Sequence, residues 1–207
     1  KEVARQCKEM GIHINFAPDM DVNSNTDNPV IGLRSFGENP EAVADKGLAY
    51  ARGLEGQGIL SVAKHFPGHG DTAEDSHYTP FKRYIYDGYA GVMTGHLYVP
   101  ALDKARNKPV SMSRAVVTDL LQKELGFRGL CFTDALAMKG ATTRKSDNPS
   151  VMALLAGNDI LLAPTAPIND FAAVKEALEE CILDREEIEA KIIKILQYKY
   201  IAGLNDY

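Results

Sequence analysis

The sequence has few cysteines and no long apolar run, and these absences narrow the classes of protein it fits. Its three cysteines, Cys7, Cys131 and Cys181, are far apart and form no C-x-x-C motif, so we interpret them as small apolar residues. No apolar run approaches the ~18 residues of a membrane-spanning helix, and the first residues carry no signal-peptide pattern. The sequence therefore predicts neither a disulfide scaffold nor a membrane span.

Basic residues are outnumbered by acidic ones and never form a long run. The chain has 23 Lys and Arg against 28 Asp and Glu, a formal net charge of −5. A nucleic acid or an anionic membrane would require a basic patch on its protein partner. We therefore predict a small-molecule partner that is not a polyanion, and we predict no nucleic-acid partner.

What the chain does contain is a repeated alternation of short apolar runs, polar loops and helical patterns. With 207 residues, of which 45% are apolar, it predicts one domain over residues 1–207 with a sizeable core. The alternation predicts a parallel sheet with helices outside. The predicted strands lie within 12–22, 59–66, 90–100, 129–136 and 159–164. The predicted helices are 39–58, 81–88, 113–126, 150–158, 168–181 and 185–200.

Two helices allow more detailed predictions. Ser113 is expected to cap the helix over 113–126, and Gly126 to end it. In the last helix, apolar side chains recur at helical spacing and predict a face buried in the core. These side chains are Ile188, Ile192, Ile195 and Leu196.

Polar side chains stand where the predicted strands end. They are Asp19, Asp21, Lys64, His65, His96 and Asp134. Active sites at the carboxyl ends of parallel strands are typical of a TIM-type barrel. An open doubly wound sheet is the alternative, weakened because no G-x-G-x-x-G motif stands at a strand-to-helix turn. A full barrel has eight units in typically ~250 residues, so five units predict an incomplete barrel whose N-terminal strands are missing.

Residues 64–77, KHFPGHGDTAEDSH, concentrate titratable side chains in one loop. Loops carry function more often than cores do, so this segment is the first candidate site. Its candidate metal ligands are His65, His69, Asp71, Asp75 and His77. No H-x-H or H-E-x-x-H spacing is present, and Lys64 would place a cation beside the ion, so we predict no metal and no other cofactor.

Acid/base chemistry suits the end of this loop better. Asp75 and His77 are two residues apart, and a carboxylate that holds one imidazole nitrogen fixes the tautomer and raises the pKa of the ring. The other nitrogen is then free to give and take a proton near neutral pH. The alternative is a loop histidine that only caps a turn.

Three further candidates come from strand ends and loops. Asp134 follows the apolar run GLCFT. An ionised side chain buried there costs free energy unless hydrogen-bond donors or cations stabilise it. The alternative role of Asp134 is an N-cap. Lys64 and His65 both reach one pocket if the pleat breaks at the strand terminus. Arg34 lies in a loop, where a surface charge is the alternative.

Six segments, in this order and across nearly the whole chain, together resemble glycoside hydrolase family 3 and within it the NagZ-like β-N-acetylglucosaminidase branch. They are NFAPDMDVN, RSFGENP, KHFPGHGDTAEDSH, GVMTGHLYVPAL, GFRGLCFTDALAMKG and LLAGNDILLAP. The resemblance implies a (β/α)8 barrel. It also implies a retaining exo-hydrolase that removes terminal β-linked N-acetylglucosamine, in many members from peptidoglycan fragments.

The resemblance also implies roles for single residues. Asp134 matches the nucleophile, His77 the general acid/base and Asp75 its partner, so a histidine replaces the second carboxylate of most retaining glycosidases. The matches to sugar-binding positions are Arg34, Lys64 and His65. Asp19 and Asp21 fall in a motif that is expected to support the Arg and Lys side chains.

Two departures from the family stand out. Its acidic loop with a Gly-Gly pair, which would precede Lys1, is absent, and the connection between His77 and the next helix is shorter than usual. A family 3 β-glucosidase or xylosidase and a non-catalytic sugar-binding barrel remain as alternatives. The sequence leaves open the oligomeric state and the compartment, bacterial cytoplasm or cell envelope.

Overall fold

The fold is known from a computed structural model, which describes residues 1–24, 31–69, 78–105, 108–141 and 147–204. Strands and helices alternate along the chain, and the strands form one parallel sheet in the order β1-β2-β3-β4. The α/β fold with a parallel sheet that the sequence predicts is therefore confirmed. The strands are β1 (Ile14–Asn15), β2 (Leu60–Phe66), β3 (Gly91–Thr94) and β4 (Leu130–Thr133).

The helices lie between and after these strands. They are α1 (Glu2–Glu9), α2 (Pro40–Glu55), α3 (Thr79–Tyr86), a π-helix (Ala115–Glu124), α4 (Pro149–Ala156), α5 (Pro167–Glu179) and α6 (Arg185–Ile201), with 3-10 turns at Gly32–Arg34, Val110–Met112 and Lys139–Ala141. Local sequence explains several ends: the Asn39 and Asn148 side chains cap α2 and α4, and proline is the first residue of both helices. No helix among the described residues is long and apolar enough to cross a membrane.

The sheet register determines which side chains meet at its carboxyl edge. β3 and β4 pair evenly from Gly91 with Leu130 to Thr94 with Thr133. The pairing of β2 with β3 shifts between Ala63 and Phe66, so the regular pleat is interrupted at Lys64 and His65. A further bridge pairs Asp19 with Lys64 and carries the contact beyond β1.

The core is packed on both faces of the sheet. Between the strands and the helices α2, α3 and the π-helix lie fully buried side chains such as Phe66, Phe81, Tyr84 and Leu121. The opposite face carries Val62, Met93, Leu130 and Phe132, as expected for a sheet buried on both sides.

Three detailed predictions are corrected. The strand expected at 159–164 is reduced to a single bridge between Phe132 and Ile160. Ser113 does not cap the helix with its side chain; its hydroxyl donates to Asp103 instead. The predicted face of α6 is only half covered. Ile188 and Ile195 are partly buried, and Ile195 packs against the sheet with Tyr198, whereas Ile192 and Leu196 are 51% and 56% exposed.

Candidate active site

The carboxyl ends of three adjacent strands meet at one edge of the sheet. Lys64 and His65 lie at the end of β2, His96 lies two residues after β3, and Asp134 follows β4 directly. Asp19 joins them through its bridge to Lys64. The predicted strand-end residues are therefore brought together by strand order and register.

Asp21 is the buried anchor of this edge. Its side chain is fully buried, and Oδ2 accepts a hydrogen bond from His65 Nδ1 at 2.7 Å. Oδ1 accepts one from the backbone N–H of His69 at 2.8 Å, so the same carboxylate holds the start of the loop that follows β2. Burial opposes ionisation, but the hydrogen bond from His65 and the interactions with His65 and His69 hold the pKa of Asp21 below its usual value.

His65 connects Asp21 to Arg34. The Arg34 guanidinium donates from Nη2 to His65 Nε2 at 3.3 Å. Because a guanidinium has no acceptor, Nε2 accepts and the ring proton lies on Nδ1, facing Asp21. His65 is 4% exposed, so these two contacts fix both its tautomer and its ring orientation.

Asp19 lies on the other side of Arg34. Its Oδ2 is 3.7 Å from Arg34 Nε and has no hydrogen-bond partner in the described part of the chain. Burial, reinforced by the negative charge of Asp21, raises the pKa of Asp19 to about 7. The expected support of Arg34 by this motif is seen for Asp19, whereas the partners of Asp21 are His65 and the loop.

Lys64 lies near the end of β2, at the same edge of the sheet. It is partly buried, and burial together with the nearby charge of Arg34 lowers the pKa of its ammonium group. The carboxylates of Asp19 and Asp134 act in the opposite direction. The ammonium group therefore lies within electrostatic reach of both carboxylates.

Asp134 is held by backbone groups at the end of β4. Its N–H donates to the Thr94 carbonyl at 2.9 Å, and its Oδ1 accepts from the N–H of Ala135 at 2.7 Å. An N-cap side chain would instead accept from an amide two or three residues further on. The described hydrogen bonds of Asp134 do not have this pattern.

The structure brings together potential metal ligands in a combination that the sequence analysis did not name. Ligand atoms of Asp19, Asp21 and His65 lie within 4.8 Å of one another. However, the His65 nitrogen facing Asp21 carries a proton, the Asp21 oxygens already accept hydrogen bonds, and Arg34 lies against the group. This set of side chains does not suit a metal cation, and we assign no metal to it.

Residues 70–77 of this loop, which include the candidates Asp71, Asp75 and His77, lie outside the described residues. The predicted acid/base pair therefore stays a prediction.

His69 and His96 take a larger part in this arrangement than the sequence predicts. The His69 amide binds Asp21, and its ring lies edge-on to His65 with 5.4 Å between centroids. The signal for His69 was its place in the same crowded loop, and the signal for His96 was its position after β3.

Comparison of the chain with known proteins identifies a matching family. The profile of "Glycosyl hydrolase family 3 N terminal domain" matches residues 1–79 and 78–198. The two matches meet directly after His77, where the sequence predicts a shortened connection.

Relatives and solved structures agree with the profile. β-Hexosaminidase A of Pseudoalteromonas piscicida is 36% identical over 95% of this chain, and β-hexosaminidase LpqI of Mycobacterium tuberculosis is 34% identical over 96%. The chain spans only 39% and 57% of these two relatives. A family 3 β-N-acetylglucosaminidase structure from a Paenibacillus species superposes with a TM-score of 0.90 and 32% identity, over 99% of this chain and 43% of that one.

Proposed function

The chain belongs to glycosyl hydrolase family 3, and from that membership we propose that it carries the site of a retaining exo-glycosidase. The substrate is a glycoside with a terminal β-linked N-acetylglucosamine, with peptidoglycan fragments as the natural source. The names of the relatives, β-hexosaminidases and a β-N-acetylglucosaminidase, support this choice of sugar.

The observation that carries the proposal is that one carboxylate, Asp134, stands beside a cationic pair at the carboxyl edge of the sheet. Lys64 interacts electrostatically with Asp134, and Arg34 with Lys64. A carboxylate that attacks the anomeric carbon does so as the anion, whose negative charge lies near the positive charge of Lys64. Asp134 is the nucleophile of the proposed reaction.

The sugar is held by the groups around this carboxylate. Arg34 is 46% exposed beside Asp19 and His65, so the hydroxyl groups of a sugar can approach its guanidinium. Lys64 supplies a further charged donor. His65 is almost buried, and its main contribution in this arrangement is to hold Arg34. Positioning of this kind lowers the barrier by several kcal/mol.

The proton comes from His77 in this proposal, with Asp75 stabilising the imidazolium. In the first step Asp134 attacks the anomeric carbon while His77 protonates the leaving oxygen, which gives a glycosyl ester and a free alcohol. In the second step neutral His77 takes a proton from water, the water displaces Asp134, and the configuration at the anomeric carbon is retained.

Covalent labelling tests this assignment. A 2,4-dinitrophenyl glycoside of a fluorinated sugar, which forms the ester faster than water removes it, is expected to add one sugar to the protein. Mass spectrometry of the peptides should place it on Asp134, and the Asp134→Asn variant should remain unlabelled. A sugar attached to a different residue contradicts the assignment.

The choice of sugar needs a separate measurement. We expect nitrophenyl N-acetyl-β-glucosaminide to be turned over faster than the corresponding β-glucoside and β-xyloside. A preference for either of the latter favours the family's β-glucosidase or xylosidase activities. Tight binding of N-acetylglucosamine without turnover of any substrate favours a sugar-binding barrel.

A further inference from the structure

Both ring nitrogens of His96 are hydrogen bonded, although the proposed mechanism gives this residue no role. Nδ1 lies 2.7 Å from the Ser111 hydroxyl oxygen, and Nε2 lies 3.1 Å from the carbonyl oxygen of Ala135. A carbonyl oxygen only accepts, so Nε2 carries the proton, and Nδ1 of the neutral ring accepts from Ser111. The two contacts together select one tautomer.

Ala135 is the residue directly after Asp134, and both of its backbone groups are held. Its N–H donates to Asp134 Oδ1 at 2.7 Å, and its carbonyl accepts from His96. The N–H of Asp134 is itself held by the Thr94 carbonyl at 2.9 Å. The direction of the Asp134 carboxylate therefore depends on the orientation of Ala135.

We propose that His96 is a positioning residue for Asp134, which acts by holding the Ala135 carbonyl so that the Ala135 N–H stays directed at Asp134 Oδ1. This inference rests on the proposed function, in which Asp134 attacks the anomeric carbon. His96 does not touch the sugar. It keeps the attacking carboxylate in one orientation.

The surroundings of His96 are built to keep its ring in place. Ser111 is fully buried; its N–H donates to the Gly95 carbonyl at 3.2 Å, and its own carbonyl accepts from the Asn158 amide at 2.7 Å. On the other side, Gly140 lies so close that a Cβ there would be 3.0 Å from His96 Cβ and 3.1 Å from its carbonyl oxygen. The turn after Asp134 thus packs directly on His96.

The charge state agrees with this role. Burial lowers the pKa of His96, although the Ala135 carbonyl and Asp134 act in the opposite direction. A neutral ring with its proton on Nε2 is the form that accepts from Ser111 and donates to Ala135 at the same time.

Three variants of the protein separate a positioning role from simple packing. In His96→Gln the side-chain amide reaches as far as Nε2 and donates to the Ala135 carbonyl, whereas in His96→Asn it reaches only as far as Nδ1. His96→Leu removes both contacts. Because displacement of a reacting group by 1 Å costs about 100-fold in rate, we expect kcat to fall about 30- to 100-fold in the Asn and Leu variants. KM should stay within about threefold, and the Gln variant should keep kcat within about fivefold of wild type.

Thermal unfolding of each variant confirms that it is folded before kinetics are compared. Wild-type kcat in the Leu variant, or equal losses in the Gln and Leu variants, overturns the inference. If covalent labelling of wild-type Asp134 fails, the proposed function fails instead.

A measurement without activity tests the geometry itself. Long-range 1H–15N correlation spectra of the histidine rings should show His96 as the neutral Nε2–H tautomer at pH 7. The Nδ1–H tautomer, or an imidazolium, overturns the inference whatever the enzyme turns over.

Discussion

At the scale of single residues, one buried carboxylate does more to shape the site than any side chain proposed to bind the sugar. Asp21 binds the ring of His65 and the amides of His65 and His69, so it holds a strand end and a loop together. Asp19, two residues earlier, accepts from the Asp21 N–H through Oδ1 at 3.2 Å, whereas its Oδ2 has no hydrogen-bond partner among the described residues. Two acidic residues of one short motif therefore have opposite pKa shifts.

The raised pKa of Asp19 predicts a pH-dependent stability. An aspartate in the unfolded chain has a pKa of about 4, whereas burial and Asp21 raise the pKa of Asp19 to about 7 in the folded protein. Between these two pH values the folded state keeps a proton that the unfolded state has lost, so this group makes the free energy of unfolding decrease as pH rises from about 4 to about 7. Asp19→Asn should remove that decrease in urea unfolding measured across this range.

The exposed Asp119, paired with Lys123 on the π-helix, provides the control. Asp119→Asn should keep the wild-type dependence on pH. If Asp19→Asn keeps it as well, Asp19 is ionised at low pH in the folded protein and the inferred effect of its burial is wrong.

The proposed nucleophile and acid predict different responses to the leaving group. Asp134→Ala should abolish turnover of every glycoside, because no ester forms without the carboxylate. His77→Ala should slow an alkyl glycoside by about 100- to 10,000-fold, the usual contribution of a general acid, and a dinitrophenyl glycoside far less. Steady-state kinetics on both substrates check this, and equal losses on the two contradict the acid role.

At the scale of elements, the buried carboxylate of Asp159 helps to hold α6 to the sheet through two lysines. The fully buried Asp159 accepts from Lys194 Nζ at 2.8 and 2.9 Å and from the Cys131 N–H at 2.8 Å. Lys191 lies 3.9 Å away on the next turn of α6. The ion pair joins the start of β4 to a helix whose apolar face is largely exposed.

Removal of one partner of this pair should be costly. Lys194→Met leaves the buried carboxylate with the Cys131 N–H and the more distant Lys191. Loss of one partner of a buried ion pair destabilises a protein by about 3 to 5 kcal/mol. Because Lys191 remains, we expect about 3 kcal/mol in urea unfolding. Lys175→Met on α5, which breaks an exposed pair with Glu179, should change stability by less than about 0.5 kcal/mol. Similar values for the two variants contradict the role given to Asp159.

At the scale of the whole molecule, the apolar surface is unevenly distributed. On α5 and α6, the side chains of Phe171, Ile193 and Leu196 are 74%, 57% and 56% exposed. A groove of about 320 Å³ lies between these helices and α4. Exposed apolar patches of this kind favour self-association or the binding of apolar probes.

One added positive charge should reduce both self-association and the binding of apolar probes. Leu196→Lys is expected to lower both the fluorescence of bound anilinonaphthalene sulfonate and the self-association of the 207-residue chain in light scattering. The neighbouring Gln197→Lys adds the same charge without removing apolar surface, and it should behave like the wild type. If both variants lower the signals equally, net charge and not the apolar face is responsible.

The local pattern of the sequence determined the succession of strands and helices and the polar residues at strand ends. Alternation of apolar runs and helical periodicity is a property of neighbouring residues, which is why Asp134 and Lys64 could be found without coordinates. Family motifs added the expected roles. They did not test those of Asp75 and His77, which remain predictions.

Only the tertiary structure decided which of these residues touch. Asp21 meets His65 across 44 positions of sequence, and His96 meets Ala135 across 39, because the register of parallel strands brings their ends together. The periodicity of α6 likewise shows an apolar face without showing what covers it, since burial depends on the packing of distant elements. Secondary structure is determined largely by neighbouring residues, whereas contact and burial are properties of the assembled sheet.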